Sequence, residues 1–310
     1  MRIVYVARPY DPKSNDDEGA VQHALTRLGH DVFRVDEAVA DRGDLPPGDV
    51  LLFNKWHNPA VLASLRGRYV RASWYWDLVE YPRDRTLARR NATRLAWMTA
   101  VLPHVDVGFC TDGDWVRRWN SGGVGPKLHR LNQGADGRVA GAAPAPPAGQ
   151  DIDVLCVAST VRCGVGRLSF VHFLQGKLGH RFVHVEDGVW GRKLAETVAR
   201  ARVVVAPDHP LTADYWSVRV YTMLGYGAFL LHPYSAGLCR EYTDRTHLYL
   251  YYSRDHLCDL AEDLCQPAHA DHRRAVAAAG YDHTAAHHTY LSRCAELCHH
   301  LSNLVPEGVT

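Results

Sequence analysis

The sequence predicts an α/β protein with two domains, each built on a parallel sheet. Short apolar segments rich in β-branched and aromatic residues alternate with segments of helical periodicity, which is the pattern of parallel α/β folds. The 310 residues suffice for two cores, and a tract rich in Gly, Ala and Pro at 134–149 has the composition of a linker. We predict a first domain at 1–133, a linker at 134–150, a second domain at 151–285 and a closing helix within 286–310.

Composition and charge exclude several classes of function. A formal net charge of +1 gives the whole chain no general attraction to nucleic acid or anionic membranes. Every apolar run is shorter than the ~20 residues that cross a bilayer, and the chain begins directly with a strand rather than a signal-peptide pattern. Eight scattered cysteines fit reduced thiols. We therefore expect a cytoplasmic protein with no membrane span.

The first strand leads to an acidic cluster. The strand covers Arg2–Ala7, and Asp16, Asp17 and Glu18 close the loop that follows it, before a helix that Gly29 ends. These carboxylates could cap the helix and interact favourably with the positive end of its dipole. Loops at the carboxyl ends of strands also hold ligands in α/β folds, so one of the three could instead act as a general base toward an acceptor hydroxyl.

Two further loops of the first domain carry polar and aromatic side chains. NKWHNP follows the third predicted strand (49–53) and supplies Lys55 and His57. YWDLVEYP follows the fourth (69–74) and supplies Trp76 and Asp77. We take Lys55 and Trp76 as candidates for acceptor binding, and His57 and Asp77 as alternative bases. Ordinary packing of aromatic residues at strand ends is the competing interpretation.

An arginine-rich segment follows these loops. Residues 83–94 contain five arginines among twelve residues. A solvated helix face explains them, and a phosphate-contacting patch for a polyanionic acceptor is the alternative.

The second domain opens with a buried strand and a glycine-containing turn. The strand covers 151–158, and the turn STVRCGVGR holds Gly164 and Gly166, which let the backbone approach a ligand closely. Arg162 and Arg167 in the same turn could neutralise a diphosphate. The later elements are predicted strands at 182–185, 202–206, 228–231 and 242–252, and helices at 170–178, 193–201, 255–265, 270–279 (ended by Gly280) and 284–301.

The segment from Asp214 to Gly237 is the one around which the second domain is organised. Ser217 is predicted to cap a helix, whose dipole favours an anion at that end. Arg219 adds a positive charge in the first turn, so the helix start is a candidate seat for phosphates. An ordinary capped core helix with a solvated arginine is the alternative. Because parallel strands end at one edge of a sheet, we expect Arg162, Arg167, Ser217 and Arg219 to converge there.

Several segments resemble a known family. DYWSVRVYTMLGYGAFLLHPYSAGL, followed about 50 residues later by HHTYLSR, is similar to the C-terminal half of the CgeB-like (spore-maturation-protein-like) glycosyltransferases, a branch of the GT-B nucleotide-sugar transferases. NDDEGAVQHAL and GFCTDGDW are also similar to segments of that group. The resemblance implies two facing Rossmann-like domains, a donor held mainly by the second, and a C-terminal helix that returns to the first.

The resemblance also implies donor contacts in one segment. They are expected from Asp214, Tyr215, Trp216, Ser217, Arg219 and Thr222. The wider class often has two glutamates separated by seven residues, where this chain has Asp214 and Thr222. Because Thr222 is not a carboxylate, the ribose contact of the class departs from its usual chemistry here.

The predicted function is transfer of a hexosyl or pentosyl group from a nucleotide-diphosphate donor of the UDP type to an acceptor hydroxyl. Arg162, Arg167, Arg219 and the helix start would stabilise the leaving diphosphate, with no cofactor and no metal. Asp17 or Glu18 would be the base in an inverting reaction, with Asp16, His57 and Asp77 as alternatives, and a retaining reaction would need none. Protein, polysaccharide, small metabolite and hydroxymethylated DNA remain open as acceptors. A non-catalytic nucleotide-sugar-binding protein is the alternative function.

The histidines and cysteines of the predicted tail helix raise the question of zinc. The tail lacks a paired Cys-x-x-Cys motif, so we predict helix packing rather than a metal site.

Overall fold

The protein forms two compact α/β units. The computed structural model describes residues 1–8, 17–79, 88–123, 125–140, 149–160, 164–186 and 189–306. The first unit combines the described residues up to Gln133 with those from Tyr290 onward, and the second combines the described residues of Gly134–Thr289. Each unit has its own sheet.

The first sheet has six parallel strands in the order β2-β1-β3-β4-β5-β6. Three of its inner strands, with the sequences RIVYVA, VLLF and VGFC, are mostly apolar because helices cover both faces of the sheet, as in other parallel sheets. The strands are β1 (Arg2–Ala7), β2 (Asp31–Asp36), β3 (Val50–Phe53), β4 (Val70–Tyr75), β5 (Val107–Cys110) and β6 (Leu128–Arg130). The helices are α1 (Asp17–Arg27), α2 (Glu37–Ala40), α3 (Pro59–Ser64), α4 (Ala88–Val101) and α5 (Gly113–Ser121).

The second sheet has five parallel strands in the order β11-β10-β9-β7-β8. A separate hydrophobic cluster covers each of its faces. The strands are β7 (Ile152–Val157), β8 (Phe182–Val185), β9 (Ala201–Val205), β10 (Leu230–Pro233) and β11 (Tyr249–Tyr251). The helices are α6 (Gly137–Ala140), α7 (Gly164–Leu178), α8 (Gly191–Ala199), α9 (Arg219–Gly225), α10 (Arg254–Leu264) and α11 (Ala270–His287).

The last helix, α12 (Tyr290–Ser302), belongs to the first unit. Its buried face, with Cys294 and Leu297, shares a hydrophobic cluster with Val21 of α1 and Ile3 of β1. The prediction of one continuous tail helix over 284–301 is wrong. His288 leaves the helical conformation (φ −128°, ψ 39°), since its carbonyl accepts a hydrogen bond from the Ala135 amide at 2.8 Å.

The predicted linker begins inside the second unit. Ala135 is buried in its hydrophobic core, and α6 follows directly. Residues 141–148 of that tract lie outside the described residues.

Two predicted element ends change for reasons of close packing. Gly280 does not end a helix, and α11 runs through it. A Cβ atom at Gly280 would lie 2.3 Å from the carbonyl oxygen of His247, so the glycine lets α11 approach the segment before β11. The predicted strand 242–252 shrinks to β11 because Arg245 has φ 61°, which turns the chain.

None of the helices in the described ranges is long and apolar enough to cross a membrane.

Candidate functional site

A pocket lies at the carboxyl edge of the second sheet. Its cavity volume is only about 10 Å³, and the free space rises to about 290 Å³ when the part open to solvent is included, so it is a narrow cleft rather than an enclosed cavity. Ligands bind at this edge in open α/β sheets, because the loops that leave the strands meet there. The lining residues come from α7, the segment after β9, the start of α9 and β10: Arg167, Ala206, Pro207, His209, Pro210, Leu211, Ser217, Arg219, Val220 and His232.

Arg167 is a fixed, buried cation of this pocket. It is 4% exposed, its Nε donates to the His209 carbonyl at 3.2 Å and its Nη1 to the Ser159 carbonyl at 3.0 Å. No carboxylate forms an ion pair with it among the described residues. Carbonyl dipoles position the guanidinium without cancelling its charge, so it remains suited to an anionic ligand.

Ser217 and Arg219 meet at the start of α9. The helix begins at Arg219 with Val218 at the N-cap position, one residue after the predicted cap Ser217. The Ser217 hydroxyl still accepts a hydrogen bond from the Arg219 amide at 3.3 Å. Both side chains are half-buried and line the pocket with Arg167.

The buried thiol of Cys156 on β7 lies within the electrostatic reach of both arginines. Burial raises the pKa of the Cys156 thiol to about 12, while Arg219 and Arg167 act in the opposite direction. The two guanidinium groups therefore act on the same small region at the end of β7.

His232 is a lining residue that the sequence analysis did not select. It is 3% exposed, and its Nδ1 lies 2.7 Å from the Pro233 carbonyl oxygen. Burial lowers the pKa of His232 to about 4, so the imidazole is neutral at pH 7. A histidine within the apolar run FLLHP was the available signal.

Gly166 has a different use from the predicted one. A Cβ atom there would lie 3.0 Å from the ring of His209, so the glycine makes room for a protein side chain at the pocket.

The loop before α9 is held by protein contacts. Asp214 is 3% exposed, and its Oδ1 pairs with Nη2 of Arg240 at 2.6 Å. Trp216 Nε1 donates to the Tyr221 hydroxyl at 2.9 Å, which donates to Glu241 Oε2 at 2.7 Å. Asp214 and Trp216 thus shape the loop beside the pocket without lining it.

Two other predicted donor contacts also lie outside the pocket lining. Tyr215 is 6% exposed and contributes to the packing of the loop. Thr222 Oγ1 donates to the Val218 carbonyl at 3.3 Å within α9. Arg162 and the candidate base Asp16 lie outside the described residues.

Lys55 and Asp77 meet at the carboxyl edge of the first sheet. β3 and β4 are neighbours, so the side chains that follow them come together, and Lys55 Nζ lies 2.8 Å from Asp77 Oδ2. Arg94 Nη2 pairs with the same oxygen at 3.2 Å. His57 is exposed near the ring of Trp97, with 6.0 Å between the ring centroids.

Trp76 is a core residue. It is 6% exposed and packs edge-to-face on Trp74, with 5.5 Å between the ring centroids, and beside Tyr290. The prediction that Trp76 contacts an acceptor does not fit this burial, because stacking requires at least one face of the ring to be reachable by the sugar or base. The sequence pattern of β4 could not show that Trp76 is buried. The strand is buried on both faces, so exposed and buried positions do not alternate along it.

The acidic cluster divides into two environments. Glu18 is 1% exposed, and its Oε2 pairs with Arg8 Nε at 3.2 Å and Arg34 Nη2 at 3.6 Å. Asp17 is half-buried and accepts a hydrogen bond from Gln133 Nε2 at 3.4 Å. Glu18 is thus committed to ion pairs, whereas Asp17 belongs to a polar network.

Tyr290 completes the network of Asp17. Its hydroxyl accepts a hydrogen bond from Gln133 Nε2 at 3.2 Å. Burial raises the pKa of Tyr290 well above its ordinary value, and the neighbouring Asp17 carboxylate acts in the same direction. Tyr290 therefore stays a neutral hydrogen-bonding partner of Asp17.

Within the described part of the chain, no group of three or more His, Cys, Asp and Glu side chains is arranged to hold a metal ion.

One segment of the sequence and the fold of the chain are similar to known proteins. Residues 165–299 match the family model described as Glycosyl transferase-like, and no curated protein matches the chain. Sucrose-phosphate synthase from Thermosynechococcus elongatus is similar in structure, with a TM-score of 0.71, 14% identity and coverage of 98% of this chain and 99% of that chain. The Anabaena protein HepE in complex with UDP and glucose is similar with a TM-score of 0.66, 9% identity and coverage of 98% and 100%.

A third structure shares the same architecture. An E. coli protein described as trehalose-6-phosphate bound with UDP-2-fluoro glucose has a TM-score of 0.67, 12% identity and coverage of 99% of this chain and 100% of that chain. The chain therefore has the GT-B fold, with two Rossmann-like units. The matched segment covers all but the first residue of α7 and all of α9, so the residues that line the pocket lie within the part of the chain that is similar to this family model.

Proposed function

We propose that the protein transfers a sugar from a nucleotide-diphosphate donor to an acceptor hydroxyl, and that the pocket at the carboxyl edge of the second sheet holds the diphosphate. One observation carries the proposal: Arg167, Ser217 and Arg219 line one pocket within the glycosyl transferase-like segment. Structural neighbours were solved with UDP and with UDP-glucose, which supports a donor of the UDP type.

The arginines would stabilise the charge that develops on the leaving group. As the bond between the sugar C1 and the diphosphate oxygen breaks, its electron pair passes to that oxygen. A new bond forms between C1 and the acceptor oxygen, which loses its proton. Arg167 is fixed by two carbonyls before the donor arrives, so its charge needs no reorganisation during the reaction. We include Arg162 and Arg219 in this clamp, which would work without a metal ion.

Asp17 is our proposed base for an inverting reaction. A general base must be able to take a proton, and Glu18 is already paired with two guanidinium groups. Asp17 is half-buried and accepts a hydrogen bond from Gln133. Asp16, His57 and Asp77 are the alternative bases, and a retaining reaction would need no such base.

A donor screen tests the proposal directly. Thermal unfolding of the full chain would be followed with UDP, ADP, GDP and TDP and with their sugar conjugates, since a ligand that binds only the folded state raises the unfolding temperature. We expect a saturable increase with one nucleotide, and loss of that increase in Arg167→Met. The absence of stabilisation by every nucleotide would overturn the proposal.

Turnover separates a transferase from a nucleotide-sugar-binding protein. The protein would be incubated with hexosyl and pentosyl conjugates of the nucleotide found in the screen. Each reaction would contain one acceptor from a panel of sugars, peptides and hydroxymethylated DNA. Release of free nucleotide supports the transferase, and tight binding with no release or transfer supports the binding protein. Activity on DNA would fall steeply with salt, because phosphate contacts carry that dependence.

A further inference from the structure

A second pocket lies at the opposite, amino-terminal edge of the second sheet. Gln150 precedes β7, Ala201 begins β9 and Phe229 precedes β10, and all three line it with one face of α11. Its cavity volume is about 380 Å³. This volume is within the range of small-molecule sites, so the pocket can enclose an organic ligand.

Three arginines line this pocket, and they differ in their partners. Arg202 Nη1 pairs with Asp153 Oδ1 at 2.6 Å, and Arg274 pairs with Asp271. Arg273 forms no ion pair with a carboxylate in the described part of the chain, although it is only 5% exposed. The pocket therefore contains one buried guanidinium whose charge no acidic side chain balances directly.

The hydrogen bonds of Arg273 are incomplete. Its Nη1 donates to the carbonyls of Leu264 and Gln266, which links α11 to the end of α10. Its Nε is buried and has no hydrogen-bond partner, and Nη2 makes no hydrogen bond with the described residues. If Arg273 served only to hold α10, this role would account for its Nη1 group and not for its Nε and Nη2 groups.

The surroundings of Arg273 favour an anion. Burial lowers the pKa of Arg273 from its ordinary value, and Arg202 and Arg274 act in the same direction, while Cys265 and Asp153 act in the opposite one. A buried charge is unfavourable unless it is paired. An anion in the cavity would therefore offset the free-energy cost of burying Arg273 and reduce the repulsion between the arginines.

The remaining wall is apolar. Tyr226 and Phe229 are buried beside the cavity, and Ala277 and Ala278 of α11 present small side chains to it. Such a wall suits a hydrocarbon or aromatic body better than a hydrated inorganic ion.

We propose that this pocket binds a small organic anion, with its carboxylate, phosphate or sulfonate group at Arg273 and its apolar or aromatic body against Tyr226 and Phe229. The site is separate from the pocket proposed for the donor, because the two occupy opposite edges of one sheet. The inference does not depend on the proposed transferase activity.

Two fluorescent probes that differ by one charged group test the site. 8-Anilinonaphthalene-1-sulfonate carries the anion, and N-phenyl-1-naphthylamine has the same rings without it. Titration of the full chain should show saturable one-site binding of the sulfonate, with at least tenfold weaker binding of the neutral probe, equivalent to about 1.4 kcal/mol. Equal affinities, or no saturable binding of the sulfonate, would overturn the proposal.

Matched variants locate the bound probe. Ala278→Trp fills the cavity from α11, and Ala275→Trp adds the same ring to an exposed position of α11 outside the lining. We expect Ala278→Trp to weaken sulfonate binding at least tenfold, while Ala275→Trp and the donor-pocket variant Arg219→Ala bind like the wild type. Circular dichroism would verify that each variant is folded. Wild-type affinity in folded Ala278→Trp, or loss of binding in Arg219→Ala, would contradict the assignment.

Discussion

At the scale of single residues, the two arginines of the candidate donor pocket differ in how they are held. Arg167 is buried and donates to two backbone carbonyls, whereas Arg219 stands at the start of a short helix and is half-buried. A cation stabilises developing charge most effectively when the protein has oriented it before the reaction begins. Arg167 meets that condition through its contacts with two carbonyls, whereas the first turn of α9 fixes the backbone of Arg219.

Replacement of Arg219 should affect turnover. Arg219→Ala is expected to lower kcat for the donor found in the screen by about a hundredfold or more, because one stabilising group for the leaving diphosphate is lost. Steady-state kinetics would measure the effect. Arg192→Ala removes an exposed arginine paired with Glu196 and is the matched control, with wild-type kinetics expected. Unchanged kcat in Arg219→Ala would remove this residue from the clamp.

The two described members of the acidic cluster should respond differently to amide substitution. Glu18→Gln breaks a buried ion pair with Arg34 and should lower the free energy of unfolding by about 3 kcal/mol. Asp17→Asn keeps most of its hydrogen-bonding shape and should leave stability nearly unchanged, while it lowers kcat of an inverting reaction by about a hundredfold or more. Denaturant unfolding and kinetics on the same preparations would separate the effects. Wild-type kcat in Asp17→Asn, combined with inversion at the anomeric carbon, would exclude Asp17 as the base.

At the scale of elements, packing between segments far apart in the chain decides where α11 and α12 begin and end. α11 continues through Gly280 because the glycine faces the carbonyl of His247, and it stops at His288, whose carbonyl is engaged by Ala135. The second unit thus closes at Thr289, and α12 packs on α1. Helical periodicity continues across this break, so the sequence pattern gave no sign of it.

Two helical glycines provide a matched test of this packing. Gly280→Ala would place a methyl group 2.3 Å from a backbone oxygen, so we expect a loss of about 1–3 kcal/mol in the free energy of unfolding. Gly176→Ala lies in α7, where no described atom outside the backbone of the helix itself lies within 4 Å of the added carbon, and alanine should be neutral or stabilise by up to about 1 kcal/mol. Denaturant unfolding measures both, and equal stabilities would contradict the close approach of α11 to His247.

At the scale of the whole molecule, one α/β unit carries two pockets at opposite ends of its sheet. The pocket at the carboxyl edge joins Arg167, Ser217 and Arg219, and the pocket at the amino edge joins Arg202, Arg273 and Arg274. The short helix α9 connects the two edges: Arg219 at its start lines the first pocket, and Tyr226 just after its end lines the second.

The stability of the protein should depend on pH through His232. Its pKa is about 4 in the folded state, below the ordinary value of 6.5, so the unfolded chain binds more protons between those two values. The stabilisation is therefore complete above about pH 6.5 and is lost as the pH falls toward 4, by at most about 3 kcal/mol. We expect His232→Gln to flatten this part of the curve of unfolding free energy against pH. Parallel curves for the wild type and the variant would show that His232 is not buried as a neutral imidazole.

The sequence by itself determined the α/β class, the positions of most strands and the segment that carries Ser217 and Arg219. These features are local, because buried parallel strands require apolar runs and turns require particular residues. Only the tertiary structure decided that Trp76 lies in the core, that Asp214 pairs with Arg240, that α11 passes through Gly280 and that His232 faces the pocket. Each of these depends on which distant residue becomes a neighbour when the strands pair, and no local pattern of the chain encodes that choice.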